Sequence, residues 1–385
     1  MEIFLVGGAV RDRLLGLPVQ ERDWVVVGAT PQEMLELGYK QVGKDFPVFL
    51  HPETKEEYAL ARTERKVAPG YKGFEFHSAP DVTLEDDLRR RDLTINAMAE
   101  DADGNIIDPY GGQKDLADGR LRHVSTAFAE DPVRILRVAR FAARFGKWGF
   151  SVAHPTNALM RTMVADGEVD YLVPERVWAE VAKALAADTP ERFFTALHGC
   201  GALAVLFPEI EREYGESGNE HAHRELPGAL VQLQNAARHS REAQVRFAAL
   251  MLSLAGTLDT NARLAQARAL CTRFRVPNDY ARLAALAIRM EPSIGRRDAG
   301  SALDIMEASG AFHDVGRWQQ LLDVYECCGH IDHARRALLE DACAAAARIG
   351  ASDLEDPDLR GAAVGRAIRE KRCAVLEQLL AAGSS

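Results

Sequence analysis

The spacing of apolar residues changes near residue 125, and this change constrains the fold of the 385-residue chain more than any other feature. Before it, runs with β-branched or aromatic residues such as Trp24–Val27 and Tyr58–Leu60 alternate with short helical segments and turns, which is typical of an α/β domain. After it, apolar residues recur at positions i, i+3 and i+4, which indicates amphipathic helices. The sequence therefore predicts a mixed α/β domain over residues 1–124 and a mostly α-helical remainder.

The helical remainder is expected to divide in two. The stretch Tyr214–Glu220 is rich in glycine, serine and polar residues, which is the composition of a surface connection. We therefore expect one helical domain over residues 125–213 and a second over residues 214–385.

The composition excludes a membrane protein and a disordered chain. Hydrophobic residues make up 47% of the sequence and charged residues 27%, as in soluble globular proteins, and no apolar run approaches a membrane span. The chain starts with an apolar segment that lacks a basic region, so we expect a first strand rather than a secretion signal. These features predict a cytoplasmic protein with no membrane association.

The net charge and the cysteine positions argue against nonspecific nucleic-acid binding, disulfides and a cysteine metal site. The net charge of −10 argues against a protein that coats nucleic acid without specificity, although it allows a local basic groove. All six cysteines lie in the second half without a C-x-x-C pair, so we expect buried reduced thiols rather than disulfides or a metal site.

Two acids near the start, Glu21 and Asp23, are predicted to share one face of a strand, because side chains two residues apart point the same way. Alone, such a pair is more typical of a solvated strand edge. Side-by-side carboxylates also suit Mg²⁺. The preceding glycines Gly7 and Gly8 allow backbone N–H groups to approach phosphate oxygens, and Arg11 can reach the same phosphates. Together these residues predict phosphoryl or nucleotidyl transfer.

A second cluster of charges is predicted on a helix that begins after Asp131. Asp131 precedes Pro132, so we expect Asp131 as the N-cap and proline at the first helical position. Four arginines with spacings of 3, 3 and 4 residues form one stripe on this helix: Arg134, Arg137, Arg140 and Arg144. Without other information the stripe is a solvated basic face.

Five stretches resemble, in order and spacing, the motifs of the bacterial class II tRNA nucleotidyltransferases, the CCA-adding enzymes of the polymerase β superfamily. They are GGAVRD at 7–12 with the acid-x-acid strand, RRDLTINA at 90–97, DPYGG at 108–112, EDPVRILR at 130–137 and PERVWAE at 174–180. Five motifs over about 180 residues are far more specific than one. The resemblance implies a polymerase-β-like α/β nucleotidyltransferase head, a helical neck over residues 125–213, and a helical body and tail.

The resemblance implies addition and repair of the 3′-terminal CCA of tRNA from CTP and ATP, without a nucleic-acid template and with release of pyrophosphate. Glu21 and Asp23 would be catalytic and bind Mg²⁺, while Gly8 and Arg11 would hold the triphosphate. The residues that would select and hold the nucleotide are Arg91, Asp131, Arg134, Arg137 and Arg140. The helical half would bind the acceptor and T arms of tRNA through shape and phosphate contacts, and we expect no obligate protein partner.

Three further predictions concern the head. Residues 61–73 match a flexible loop that the family needs for the switch from adding C to adding A, and their full length favours complete CCA addition. Glu57, on the preceding strand, is a candidate third carboxylate near the metal. Asp92 is also a candidate cap for a helix that runs through Ala99.

The sequence departs from the family at two places. The family has Asp-x-Asp where this chain has Glu21, and a reacting group displaced by on the order of 1 Å can slow catalysis about 100-fold. Longer relatives carry an HD-type metal phosphohydrolase domain, but Leu252 and Ser253 replace the His-Asp pair, so we expect no phosphohydrolase activity. His221 and His223 are expected to be surface residues.

Three other functions remain open at this stage. An A-adding enzyme or a bacterial poly(A) polymerase would share the head, although residues 42–48 and the acidic net charge favour a CCA-adding enzyme. A noncatalytic tRNA-binding protein derived from the enzyme would explain both Glu21 and the missing HD ligands.

Overall fold

The computed structural model describes residues 1–42, 48–66, 74–77, 79–215, 226–254, 258–356 and 358–382. It contains two compact units: the first comprises residues 1–184 and 192–206, and the second comprises residues 185–191 and 207–385. The first unit holds the whole predicted head and most of the predicted neck. The division into head, neck, and body with tail stays a prediction.

The strands of the described residues all lie in the first unit. In chain order they are β1 (Glu2–Val6), β2 (Asp23–Val27), β3 (Lys40–Val42), β4 (Val48–Leu50), β5 (Glu57–Leu60), β6 (Thr63–Lys66), β7 (Phe74–His77), β8 (Ala99–Glu100), β9 (Ile106–Ile107), β10 (Arg120–Leu121) and β11 (Ser151–Val152). Within the described residues, seven of them form one sheet in the order β3-β4-β5-β2-β1-β8-β9. The sheet is mixed, because β2 runs antiparallel to β1 and parallel to β5.

Both faces of this sheet are covered. Val25 and Val26 are neighbours on β2, so they point to opposite faces. Val25 packs with Phe4 and Val6 in one buried cluster, whereas Val26 packs with Phe49 in another. The β-branched residues of β2 therefore anchor the strand from both sides and fix the position of its first residue, Asp23.

Helices make up most of the remaining described chain. Those of the first unit are α1 (Gly8–Leu14), α2 (Pro31–Glu36), α3 (Leu84–Arg89), α4 (Gly112–Ala117), α5 (Val133–Phe145), α6 (His154–Ala165), α7 (Pro174–Leu185), α8 (Glu191–Cys200) and α9 (Ala202–Leu206). The last residue of α7 and the first residue of α8 belong to the second unit. Those of the second unit are α10 (Pro208–Gly215), α11 (Gly228–His239), α12 (Ala243–Ser253), α13 (Thr260–Arg273), α14 (Asn278–Ile294), α15 (Ala299–Ser309), α16 (Val315–Cys327), α17 (His333–Ala347) and α18 (Ala362–Ala382). The predicted fold class, a mixed α/β head followed by a mostly helical remainder, is confirmed.

A buried arginine organises the second unit. Arg246 on α12 has no exposed surface and donates hydrogen bonds of 2.6–3.1 Å to the carbonyl oxygens of Leu185, Ala187, Ala237 and Ser240. Carbonyls at helix ends lack partners within the helix, so this side chain satisfies the C-terminal ends of α7 and α11 together.

Two expectations about chemistry and membranes can be compared with this fold. The six cysteines are free thiols; Cys200 and Cys343 are buried and the other four are partly buried. No helix in the described parts of the chain combines the length and the apolar character needed to cross a bilayer.

Candidate active site

Two carboxylates lie at the start of β2. Asp23 is the first residue of the strand and stands in register with Val6 of β1 and Glu57 of β5. Glu21 precedes the strand, so the prediction that both acids lie on one strand face is wrong in this detail. The strand starts later because only from Asp23 onward does the chain pair with β1 and β5.

Glu21 and Asp23 are nevertheless electrostatic neighbours. Partial burial raises the pKa of Asp23 above its usual range; Arg91 opposes this shift and the Glu21 carboxylate adds to it. Two neighbouring carboxylates repel each other, and a bound cation relieves that repulsion. Their hard oxygen donors suit a divalent ion such as Mg²⁺, which commonly takes one or two protein carboxylates and completes its shell with water and phosphate.

Glu57 lies beside Asp23 in the sheet but does not complete an all-protein metal site. Among the residues that the structure describes, no group of three or more His, Cys, Asp or Glu side chains could hold a metal ion.

The glycine pair makes room for two arginines. A Cβ on Gly7 would stand 2.8 Å from Nη1 of Arg91, and a Cβ on Gly8 would stand 3.4 Å from Nη2 of Arg11. Gly7 also has a φ of +71°, and its N–H already donates to the carbonyl of Met98 at 3.1 Å. The sequence argument that this N–H approaches phosphate is therefore wrong for Gly7, since the bond to Met98 occupies it.

Arg11 is buried and is oriented by hydrogen bonds and by two aromatic rings. It is only 3% exposed, and its guanidinium lies 5.2 Å from the ring centres of Phe141 and Phe145. Nε donates to Oδ1 of Asp12 at 2.8 Å, and Nη1 donates to Oδ1 of Asn96. Burial lowers the pKa of Arg11, with Asp12 opposing the shift. These contacts fix the orientation of the Arg11 guanidinium.

Arg91 is positioned by a buried carboxylate. Its Nη2 donates to Oδ2 of Asp87 at 3.1 Å, and Asp87 has no exposed side-chain surface. Burial alone would raise the pKa of Asp87, but Arg90 and Arg91 hold it below its usual range. The resulting ion pairs keep Arg91 close to Asp23.

Asp131 lies just before α5 and is bound by Arg176 of the PERVWAE motif. Both Asp131 oxygens accept from Arg176, at 2.8 and 3.2 Å, and Oδ1 accepts the N–H of Val133 at 3.1 Å. The helix begins at Val133, one residue later than predicted, but Asp131 still binds its first N–H. Arg134 is 8% exposed and donates to the carbonyl of Ala127 at 2.8 Å.

The arginines further along α5 each face a carboxylate. Arg137 donates to Asp92 at 2.7 Å, Arg140 donates to Glu180, and Arg144 donates to Asp12 at 2.8 Å. Burial alone would raise the pKa of Asp92, but Arg137, Asn96 and Arg134 hold it well below its usual range. The stripe is therefore not a solvated basic face.

Sequence reasoning identified the arginines of this site but missed their partners. The missed residues are Asp12, Asp87, Asp92 (named only as a helix cap), Asn96, Arg176 and Glu180. Five of them lie inside the five motifs and Asp87 lies three residues before one, so motif membership was the signal that could have found them.

The remaining predicted residues lie in the second unit or outside the described residues. In the second unit, Leu252 is 2% exposed, and Ser253 donates its hydroxyl to the carbonyl of Ala249 at 2.9 Å. His221, His223 and residues 43–47 and 67–73 lie outside the described residues, so the predictions made for them stay predictions.

Known proteins resemble this chain over nearly its whole length. Residues 3–122 match the family described as the poly A polymerase head domain, and residues 149–214 match the one described as the probable RNA and SrmB-binding site of polymerase A. The chain is 52% identical to the multifunctional CCA protein of Thioalkalivibrio sulfidiphilus, with 99% of both chains covered. It is 46% identical to the CCA-adding enzyme of Coxiella burnetii, with 99% of this chain and 96% of that protein covered.

A solved structure shows the same fold. The CCA-adding enzyme of Bacillus stearothermophilus in complex with CTP matches with a TM-score of 0.66 at 23% identity, covering 98% of this chain and 89% of that chain. Identity near 50% over the full length, together with this fold, decides the family. The chain belongs to the bacterial class II tRNA nucleotidyltransferases, the CCA-adding enzymes.

Proposed function

We propose that this protein adds and repairs the 3′-terminal CCA of tRNA with CTP and ATP, using Glu21, Asp23 and the arginines around them. One observation carries the assignment of residues: the carboxylate edge of β2 lies beside Arg91 and in the same unit as the arginine stripe of α5. This arrangement combines a metal-binding edge with a cationic site for a nucleoside triphosphate.

Nucleotidyl transfer in this family depends on a divalent metal, and Mg²⁺ is our proposal for the ion. Glu21 and Asp23 would hold it. When bound there, Mg²⁺ would activate the tRNA 3′-hydroxyl and orient the α-phosphate of the incoming nucleotide. Desolvation raises the pKa of Asp23, and Arg91 opposes this rise, which helps Asp23 to stay ionised and able to bind a cation.

The triphosphate would be held from two sides. Gly8 and Arg11 approach it from the start of α1, and Arg137 and Arg140 approach it from α5. The buried partners of these arginines keep the guanidinium groups oriented before substrate arrives, which reduces the entropy lost on binding.

Asp131 and Arg134 would select the base. A paired acceptor and donor can recognise C and A alike, since each base presents an exocyclic amine beside a ring nitrogen. Arg176 binds both oxygens of Asp131 and thereby sets the direction of the acceptor. The protein itself would then serve as the template.

The second unit would bind tRNA through phosphates and shape, with the acceptor and T arms as its contacts. A cytoplasmic location belongs to this proposal, because tRNA maturation takes place where tRNA is used.

The test uses tRNAs that lack the last one, two or three nucleotides, incubated with the purified protein and Mg²⁺. CTP and ATP are supplied singly and together, and products are resolved at one-nucleotide resolution. We expect growth to CCA and then a stop, with Asp23→Asn as the inactive control. Addition of A alone would indicate an A-adding enzyme, and a long A tract would indicate a poly(A) polymerase. No growth would indicate a noncatalytic tRNA-binding protein.

A further inference from the structure

Asp12, the last residue of the first motif, lies within the proposed nucleotide site but has no assigned role. It is 8% exposed. Its Oδ1 accepts from Nε of Arg11 at 2.8 Å and lies 2.7 Å from Nη2 of the same residue. Its Oδ2 accepts from Nη2 of Arg144 at 2.8 Å. One carboxylate therefore binds an arginine of its own helix, α1, and joins that helix to α5 through Arg144.

A carboxylate in a nucleotide site weakens binding of the triphosphate unless its charge is neutralised. A triphosphate carries several negative charges, and a nearby carboxylate repels it. Asp12 offsets this cost because both of its oxygens are neutralised by cations. Without Asp12, Arg11 would be a buried charge that keeps the neutral amide of Asn96 as a hydrogen-bond partner and two aromatic rings as neighbours, but no directly paired carboxylate, which is an unfavourable state.

The contacts continue beyond Asp12. Asn96 accepts from Arg11 and donates from Nδ2 to Oδ1 of Asp92 at 2.9 Å. Oδ2 of Asp92 accepts from Nε of Arg137 at 2.7 Å. The hydrogen bonds thus run without interruption from Arg144 through Asp12, Arg11, Asn96 and Asp92 to Arg137. Two ends of the proposed nucleotide site, Arg11 on α1 and Arg137 on α5, are members of this one network.

We propose that Asp12 is a positioning residue for nucleotide binding: it orients Arg11 and fixes α5 relative to the start of α1. The inference rests on the proposed function, in which Arg11 binds the triphosphate. It predicts an effect that does not depend on the base, since the triphosphate is common to CTP and ATP.

The experiment measures KM and kcat for CTP and ATP with Asp12→Asn, Arg11→Gln and the double variant. Asn has the shape of Asp without its charge, and hydrogen bonds to charged groups contribute about 1.5–3 kcal/mol, which corresponds to about tenfold or more in KM. We expect Asp12→Asn to raise KM about tenfold for both nucleotides, with kcat within about threefold. In the Arg11→Gln background, Asp12→Asn should add little, because the residue it orients is gone.

Glu100→Gln is the matched control. Glu100 pairs with Arg13, a neighbour of Asp12 on α1 whose side chain is 47% exposed, so this variant also removes a carboxylate that binds an α1 arginine. Its KM should equal that of the unmodified protein. Arg144→Gln removes the other contact of Asp12 at a side chain that is 40% exposed; we expect it to fold and to raise KM less than Asp12→Asn does.

The outcomes separate the two proposals. If Arg11→Gln leaves KM unchanged, the proposed triphosphate contact of Arg11 fails. If Arg11→Gln raises KM while Asp12→Asn and Arg144→Gln do not, the positioning role of Asp12 fails and the proposed function stands. Equal losses of kcat and thermal stability with unchanged KM, or fully additive effects in the double variant, would also overturn the inference by assigning Asp12 a purely structural role.

Discussion

Glu21 is the residue at which this chain departs most clearly from the metal-binding pattern of its family. Its neighbour Asp23 is fixed by backbone pairing with Val6 and Glu57 on two adjacent strands. Glu21 lies before the strand and is exposed, so its backbone has room to adjust for the additional methylene of glutamate. We therefore expect a tolerated substitution rather than a decayed site.

We expect Glu21→Asp to change kcat/KM for CTP by less than about tenfold, whereas Asp23→Asn should lower it by about 100-fold or more, because the fixed ligand cannot be replaced by a movement of the chain. Steady-state CTP incorporation into tRNA measures both variants, and thermal unfolding confirms that they are folded. A large increase in activity for Glu21→Asp would instead indicate that glutamate has damaged the site.

Gly7 provides a second prediction at this scale. We expect Gly7→Ala to raise KM for CTP and ATP about tenfold or more, since its Cβ would stand 2.8 Å from Nη1 of Arg91 and would displace a charged contact. Gly16→Ala is the matched control, because Gly16 also has a positive φ, +68°, but a Cβ there would meet no atom within 4 Å. Comparable loss of thermal stability with a KM effect confined to Gly7→Ala is the expected result. Equal KM values for the two variants would contradict it.

At the scale of elements, α5 carries the arginines and other elements carry their partners. The 3.6-residue period predicted from sequence that the arginines share one stripe, and the run of β-branched residues predicted the strand around Trp24–Val27. Periodicity is a local property, so it could not indicate that Arg137 meets Asp92, 45 residues away, or that Arg144 meets Asp12, 132 residues away. These contacts arise from tertiary packing.

The same limit explains a wrong helix. The sequence predicted that Asp92 caps a helix through Ala99, but only Thr94–Asn96 form a 3-10 turn, and Ala99 begins β8. Asp92 accepts from the N–H of Leu93, Asn96 and Arg137 instead. A distant arginine and pairing with β1 outweigh the local preference for a helix.

The ion pair between Asp92 and Arg137 predicts a pH-dependent loss of stability. The pKa of Asp92 is lowered in the folded protein, so its contribution is complete above the ordinary carboxyl pKa of about 3.9 and disappears as the pH falls below that value. We expect Asp92→Asn to destabilise the first unit by about 1–3 kcal/mol near pH 7. The difference in Tm between the two proteins should shrink as the pH is lowered from about 5 to 3.

Thermal unfolding across this pH range tests the prediction. Asp118→Asn changes an exposed carboxylate of the same unit and should leave Tm nearly unchanged at every pH. A Tm difference for Asp92→Asn that stays constant between pH 7 and 3 would show that the charge of Asp92 does not contribute.

At the scale of the whole molecule, the described part of the second unit is helical, and the expected loss of HD-type metal ligands falls within it. At the position of the missing His-Asp pair, Leu252 is buried and its carbonyl accepts from Nη2 of Arg263. Nη1 of Arg263 pairs with Glu291. A guanidinium beside this helix end disfavours a bound metal cation by repulsion.

We therefore expect the purified protein to show no hydrolysis of 2′,3′-cyclic nucleotides above background with Mg²⁺, Mn²⁺, Co²⁺ or Ni²⁺. Leu252→His with Ser253→Asp should remain inactive as well, because these two substitutions leave Arg263 in place. Product release followed by chromatography measures both, and CTP incorporation by the same preparations shows that they are folded. Metal-dependent hydrolysis by the unmodified protein would contradict the prediction.

The ion pair between Arg140 and Glu180 has a consequence for protein synthesis. The ribosome makes the carboxylate edge at residues 21–23 early, but the last carboxylate that binds an arginine of α5 comes only with Glu180. Until then Asp12 and Asp92 on a nascent chain have no α5 arginines to bind, or those arginines lack part of their support. If these residues form the nucleotide site as proposed, a partly synthesised chain would carry the carboxylates before it could select a nucleotide, and selection would begin only once α7 had emerged.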